Sequence, residues 1–158
     1  MLISEEFRSE QYKRHITDPE YGGEAVEYSA HISNVINQTQ VGDVLDYGCG
    51  KGELGANLEL DHRVRVHLYD PAIPDIAEAP EPQDMVVCVN VLDYVEKDCI
   101  EDVLDDLKRC TKHIIFIVIS ENELKMEYWL PKIMTRFRVQ SLVRSNIDFF
   151  VVATVDFN

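Results

Sequence analysis

Val41-Gly42-Asp43-Val44-Leu45-Asp46-Tyr47-Gly48-Cys49-Gly50-Lys51-Gly52 is the stretch whose reading decides the fold. Two apolar residues, Val44 and Leu45, run into an acidic one, Asp46, and three alternating glycines follow at 48, 50 and 52. Helix-forming residues then take over from Lys51 to Leu60, so the pattern reads strand, tight turn, helix. Glycine serves where the chain takes a positive φ or where backbone must approach a ligand closely. The turn therefore predicts a nucleotide-like ligand lying against exposed backbone N–H groups at the start of a helix. Two common phosphate-binding turns are excluded. A dinucleotide GxGxxG would need glycine where Glu53 stands, and a P-loop would need Ser or Thr after Lys51, where Gly52 stands.

The next element narrows the ligand. Val64 to Tyr69 alternates like a strand and ends in Asp70, followed by Pro71, which cannot extend a ladder. An acid at the tip of the second strand, some 20 positions beyond the glycine turn, stands where a ribose needs a hydroxyl acceptor.

Asp46, Gly48, Gly50 and Gly52 form Asp/Glu-x-Gly-x-Gly-x-Gly, which resembles motif I of the class I S-adenosylmethionine (SAM)-dependent methyltransferases. The resemblance implies that Asp46 serves the methionine amino group and that the glycine loop passes under the ligand. It places SAM, or its product S-adenosylhomocysteine, against Asp46, Tyr47, Gly48, Cys49, Gly50, Gly52, Tyr69, Asp70, Pro71, Asn90 and Val91. Replacing Asp70 by Ala should then weaken binding by about 1–3 kcal/mol, with the fold intact because the residue sits at a strand tip.

At 158 residues the chain makes one domain of ordinary size, residues 1–158, with residues 1–40 as an N-terminal cover segment and helix. Fifteen Lys plus Arg stand against 29 Asp plus Glu, a net charge of −14 that repels phosphate backbones and makes a nucleic-acid partner unlikely. Lys132, Arg136, Arg138 and Arg144 are the one basic segment, read as a solvated face. Cys49, Cys88, Cys99 and Cys110 show no CxxC pair and no His at ligand spacing, so they read as reduced thiols with no metal site. The N-terminal residues have no apolar h-region, and nowhere do eighteen apolar residues follow one another. A soluble, cytoplasmic protein without a membrane partner is expected.

Residues 1–23 mix polar and aromatic side chains, with a break from Pro19 to Gly23. Ala25, Val26, Ile32, Val35 and Ile36 then recur at near-helical spacing up to Asn37. In small methyltransferases such a segment often covers the SAM pocket, which makes Tyr12, His15 and Tyr21 candidates to line it. Past Asp70, prolines at 71, 74, 80 and 82 exclude a regular helix before strand character resumes at Met85. The family's usual helix, strand and helix have no room there, so the third, edge strand should be lost or reduced to a short extended piece. Adenine contacts must then come from the proline-rich loop or from Val89 to Leu92.

Asp84 to Val91 is a near-continuous apolar run, as in a central parallel strand. The following Leu92-Asp93-Tyr94-Val95-Glu96 resembles the family's motif IV region, which commonly reads Asp-Val-Leu-Glu-His-Ile. Asn90 replaces the acid, Asp93 the Glu and Tyr94 the His. A Tyr with a pKa near 10 is a poor base at neutral pH. Asp93, Tyr94 and His15 are the candidate catalytic residues, with no role fixed for any. The Asn/Asp-Pro-Pro-Tyr signature of amino-directed DNA methyltransferases is absent.

Asp98 is placed to cap a helix with Ile100, Val103, Leu104 and Leu107 on its apolar face. His113 to Ile119 is a buried strand. By position, Ser120, Glu121 and Asn122 at its carboxyl end are substrate contacts. Met126 to Phe137 predicts an amphipathic helix with Pro131 near its first turn and Trp129 in the core. Arg138–Val143 and Ile147–Val155 are at hairpin spacing. The fold class expected is thus α/β: a Rossmann-like class I methyltransferase sheet, mostly parallel, with a C-terminal antiparallel hairpin and without the third edge strand. The chain is also similar to small, bacteriophage-type methyltransferase-like proteins, in a reduced form that lacks their polar insertion before the Trp-Leu-Pro helix. That leaves the substrate side open, or supplied by a protein partner or a second copy in a homodimer.

Three functions compete. One is methyl transfer from SAM to a small-molecule acceptor. The second is a degenerate SAM-binding module acting through a protein partner, with an apolar surface near Tyr128 and Trp129. The third is nucleic-acid methylation, which the charge and the lack of a recognition segment disfavour.

Overall fold

The computed structural model describes residues 1–19 and 24–155. Ten regular elements follow in order: α1 (Glu5–Thr17), α2 (Ser29–Thr39), β1 (Asp43–Tyr47), β2 (Arg65–Tyr69), β3 (Gln83–Val89), α3 (Ile100–Cys110), β4 (Thr111–Ser120), α4 (Met126–Met134), β5 (Arg138–Arg144) and β6 (Asp148–Thr154). The strands form one six-stranded sheet in the order β2-β1-β3-β4-β6-β5. β2, β1, β3 and β4 are parallel, and β6 runs antiparallel to both β4 and β5. This is the mixed sheet with a terminal hairpin that the sequence pattern predicts.

Side-chain alternation divides the core into two layers. Leu45, Val86, Cys88, Ile115, Ile117, Phe149 and Val151 face α3 and α4, against Val103, Leu104, Leu107, Trp129 and Ile133. Val44, Met85, Val87, Phe116 and Val118 face the other way, against Ile32 and Ile36 of α2 and against Leu54. Both faces of β3 and β4 are therefore covered, which is why their sequences read as unbroken apolar runs.

Between β2 and β3 the proline-rich segment makes a single 3-10 turn, Pro74–Ile76, and β2 is the sheet's edge. No third edge strand and no full helix stand there among the described residues, as the missing proline N–H groups require.

Five local features differ from the expectations or add to them. No α-helix follows the glycine turn. Residues 51–60 hold only a 3-10 turn, Gly55–Asn57. Gly52, at φ +72°, leaves the helical region, and the segment is laced onto α2 instead. Ser33 Oγ accepts from Glu59 N (3.0 Å), Asn37 Oδ1 accepts from Asp61 N (3.0 Å), and Asn37 Nδ2 donates to Glu59 O (3.0 Å). Second, residues 5–17 are helical although their charges hide any apolar stripe. Ser4 caps α1 by accepting from Phe7 N (3.1 Å), with Glu5 and Glu6 in the first turn, where the helix dipole favours acids. Third, the predicted helix from Glu24 begins as a 3-10 turn, Glu24–Tyr28, and becomes α2 only at Ser29. Fourth, Asp98 lies in a 3-10 turn, Lys97–Cys99, and Cys99 precedes α3 without a side-chain cap. Fifth, Pro131 lies inside α4 rather than in its first turn.

Candidate active site

The chain order reverses between β1 and its neighbours, with β2 on one side and β3 on the other. Such a switch point opens a crevice outside the carboxyl ends of the strands. Here β1 delivers Asp46 and the glycine turn, β2 delivers Asp70, and β3 delivers Asn90 and Val91. A cleft with about 910 Å³ of empty space, its mouth included, lies among them. Asp46, Tyr47, Gly48, Cys49, Gly50, Asp70, Pro71, Asn90 and Val91 line it, together with His15 and Tyr94. Gly52 and Tyr69, also expected there, are not among its lining residues and support it from behind.

The glycine turn is held by internal bonds. Gly48 N and Cys49 N both donate to Tyr69 O (2.7 and 3.1 Å), Gly50 N to Asp70 Oδ2 (3.1 Å), and Gly52 N to Cys49 O (2.9 Å). The prediction of backbone N–H groups exposed to a ligand is thus corrected: these four point into the protein. What the glycines supply is conformation and room. Gly48, Gly50 and Gly52 take φ of +73°, +54° and +72°. A Cβ on Gly48 would lie 2.4 Å from Val91 Cγ2, so the loops after β1 and β3 approach as closely as they do only because that atom is missing.

Two carboxylates share the cleft. Asp46 is 3% and Asp70 8% exposed. Burial, and then the neighbouring Asp70 charge, push Asp46 up to about 7. Asp70 is oriented by two backbone donors, Gly50 N on Oδ2 and Ala72 N on Oδ1 (2.9 Å), and His15 Nε2 stands 3.9 Å from Oδ2. Tyr47 keeps its ring in the α3 layer, where its hydroxyl donates to Asp106 Oδ2 (2.7 Å). Burial pushes the Cys49 thiol well up, so it is an inert neighbour rather than a nucleophile. All four cysteines are free and buried. Among the described residues, no three His, Cys, Asp or Glu side chains gather as metal ligands.

α1 covers the cleft. Phe7, Gln11 and His15, four residues apart on one helix face, line it. Phe7 and Gln11 were not foreseen. The signal available was the Ser4 cap before two acids, which starts a helix in phase with His15. Both ends of α1 are tied down: Ser4 N donates to Glu96 Oε1 (2.7 Å), and Lys51 Nζ in the glycine turn donates to Asp18 O (2.7 Å). Tyr12 is 40% exposed and is not a lining residue, and Tyr21 lies outside the described residues.

A second cavity, with about 970 Å³ of empty space counting its open side, adjoins the first. Leu92, Asp93, Tyr94, Ser120, Asn122 and Trp129 are among its walls, and Tyr94 and Val95 belong to both cavities. It gathers most of the residues expected to meet a substrate. Asn90 remains in the first cleft, with φ +52°, its Oδ1 accepting from Ser120 Oγ (3.0 Å). Glu121 is a structural residue instead. It accepts from Met126 N at the start of α4 (2.7 Å) and pairs with Arg144 (2.7 Å).

Comparisons agree with this geometry. A family profile described as "Methyltransferase domain" matches residues 23–145. No curated protein sequence matches the chain. Among solved structures, 1,6-didemethyltoxoflavin-N1-methyltransferase of Burkholderia thailandensis, with bound 1,6-didemethyltoxoflavin and S-adenosylhomocysteine, superposes with a TM-score of 0.74. It is 14% identical, over 94% of this chain and 86% of that one. Magnesium protoporphyrin IX methyltransferase of Synechocystis PCC 6803 with bound SAM gives a TM-score of 0.65 at 15% identity, over 83% and 79% of the two chains. A SAM-dependent methyltransferase of Aquifex aeolicus gives 0.58 at 18% identity, over 78% and 88%. A sheet with the switch point at its glycine turn, and a profile match over most of its length, place this chain in the methyltransferase-domain family.

Proposed function

We propose that the chain transfers the methyl group of SAM to a small-molecule acceptor. The observation that carries this reading is the buried carboxylate pair at the switch point, Asp46 and Asp70, set beside a turn whose Gly48 lets the loop after β3 close against it. That donor set suits a molecule with an ammonium at one end and a ribose diol further along. Asp46 accepts from the ammonium and Asp70 from the ribose hydroxyls, while Pro71, Ala72, Asn90 and Val91 form the walls for the base. When bound, the cofactor supplies a methyl group already activated by positive sulfur, so the acceptor's lone pair makes the new bond as the carbon–sulfur pair returns to sulfur. The protein's part is proximity and alignment, with α1 excluding water over the cleft.

A small acceptor is favoured over nucleic acid by charge. Lys132 and Arg136 pair with Glu101 and Asp105, and Arg144 pairs with Glu121 and Glu127. A phosphate backbone would have to compete with those carboxylates against a net charge of −14. Two of the neighbours are named for small-molecule acceptors, a porphyrin and a toxoflavin precursor. The binding-module reading loses its partner surface, since Trp129 is 1% exposed and Lys132 Nζ lies 5.1 Å over the Tyr128 ring.

Calorimetry with SAM, followed by a methyl-donor assay across separated metabolite and nucleic-acid pools, tests the proposal. Label should enter the metabolite pool. Tight SAM binding with no transfer into any small molecule would refute it.

A further inference from the structure

Asp70 and His15 meet in the cofactor cleft, the acid from the tip of β2 and the imidazole from the last turn of α1. Each side chain is 11% exposed, and His15 Nε2 stands 3.9 Å from Asp70 Oδ2. That separation is too long for a direct hydrogen bond, and one oxygen atom about 2.8 Å from each end spans it. Asp70 has acceptor capacity left for such an atom. Its Oδ1 accepts from Ala72 N and its Oδ2 from Gly50 N, so each carboxylate oxygen keeps a further lone pair. A ribose diol has two hydroxyls to donate, one to each oxygen. The hydroxyl that gives its proton to Oδ2 still carries lone pairs of its own, and an imidazole with its proton on Nε2 is placed by α1 to donate to them.

We infer that His15 is a cofactor-binding residue: its Nε2–H donates to the ribose hydroxyl that Asp70 Oδ2 accepts from, so that a single hydroxyl bridges β2 to α1. This rests on the methyltransferase reading above, which puts a ribose at Asp70, and it gives His15 a task at the ribose instead of in proton transfer. The bridge also ties the cover to the sheet. α1 is polar, Gln11 is its one buried residue, and its ends are held by Ser4 N on Glu96 and by Lys51 on Asp18 O. None of those four residues lines the cleft. A hydroxyl shared by His15 and Asp70 adds a tie that exists only while cofactor is bound, so the helix closes more firmly over an occupied cleft than over an empty one.

The test uses the full chain and three ligands: S-adenosylhomocysteine, its 2′-deoxy form and its 3′-deoxy form. Calorimetry compares the wild type with His15→Phe, which keeps a ring and removes the donor, and with His15→Gln, which keeps an N–H at the end of the side chain. Residue and hydroxyl together close a double-mutant cycle. His15→Phe should lose about fivefold to tenfold in affinity for S-adenosylhomocysteine, the scale of one hydrogen bond. That loss should vanish with the deoxy form that lacks the bridged hydroxyl and persist with the other, and His15→Gln should recover part of it. Amide exchange within residues 5–17 of the wild type gives a second readout: saturating S-adenosylhomocysteine should slow it more than that same deoxy form does.

A loss of the same size for all three ligands would make His15 an anchor of α1 with no contact to the ribose, and no loss for any would leave it without a part in binding; either result overturns the inference. Should His15→Phe not fold, exchange in the wild type decides, and equal protection of α1 by all three ligands at saturation overturns it. A wild type that binds no S-adenosylhomocysteine refutes the cofactor reading itself, whereas binding that is indifferent to residue 15 refutes the His15 assignment alone.

Discussion

Asp46 carries the sharpest pH dependence available to this molecule. Its ordinary pKa is 3.8, and burial beside Asp70 raises it to about 7. The sign follows from linkage. Between those two values the folded chain holds a proton that the unfolded chain has released, so this group's contribution to stability is greatest below about pH 4 and is lost as pH rises through about 7. The ligand acts in the opposite sense, because an ammonium needs the carboxylate. SAM should therefore bind more tightly at roughly pH 8 than at roughly pH 6, releasing a proton at the lower pH, and Asp46→Asn should flatten that profile while weakening binding throughout. Calorimetry in buffers of different ionisation enthalpy reads both effects. Asp70 behaves differently from what a strand-tip residue suggests. Asp70→Ala should still weaken SAM by about 1–3 kcal/mol, but it also strips Gly50 N and Ala72 N of their acceptor, so a lower melting temperature should accompany the lost affinity. Gly48→Ala combines an approach of 2.4 Å to Val91 Cγ2 with a φ of +73°, and should cost about 1–3 kcal/mol. Adding Val91→Ala relieves the overlap and leaves the backbone strain, so chemical denaturation of the pair should show partial recovery.

Among the elements, α1 is the part whose stability is separable from the core. Its mean composition is polar, and Gln11 is its one buried residue, so tertiary contacts hold it where intrinsic preference would not. Its two ties, Ser4 to Glu96 and Lys51 to Asp18, span the cofactor cleft. Ser4→Ala removes the cap on Phe7 N and should cost the helix about 1 kcal/mol. Amide exchange within residues 5–17 should then quicken and SAM release should accelerate, while protection in β3 and β4 stays as it is. Unchanged release would mean that α1 is not the gate. The segment after the glycine turn shows the converse. It has lost its helix yet keeps its place, because Leu54 is buried against the α2 face and the side chains of α2 bind its backbone.

For the whole molecule, charge is the dominant feature. Much of the positive charge on the C-terminal half is already paired with Asp or Glu, and the edge strand β5 is exposed along most of its length with Arg at both ends, an arrangement that discourages edge pairing. Raising ionic strength should change methyl transfer little, and immobilised DNA or RNA should retain the protein weakly with a shallow salt dependence. A steep one would reopen the nucleic-acid reading. No helix among the described residues is long and apolar enough to cross a membrane.

Local chemistry was enough to predict the sheet. Apolar runs at Val44, Met85 and Ile115, an acid and alternating glycines at the end of the first strand, a second acid before Pro71, and two terminal runs at hairpin spacing each state their element without help from the rest of the chain. Four prolines likewise sufficed to remove the third edge strand, because a missing N–H is a property of the residue. Tertiary structure decided what the glycine N–H groups do, since Tyr69 O and Asp70 are brought to them only by the pairing of β1 with β2. It also decided that residues 51–60 are not helical, through bonds to α2 on the other side of β1. That Phe7 and Gln11 share with His15 the face of α1 turned to the cleft was beyond sequence reading for the same reason. A helix patterned by charge has no stripe to betray the face it buries.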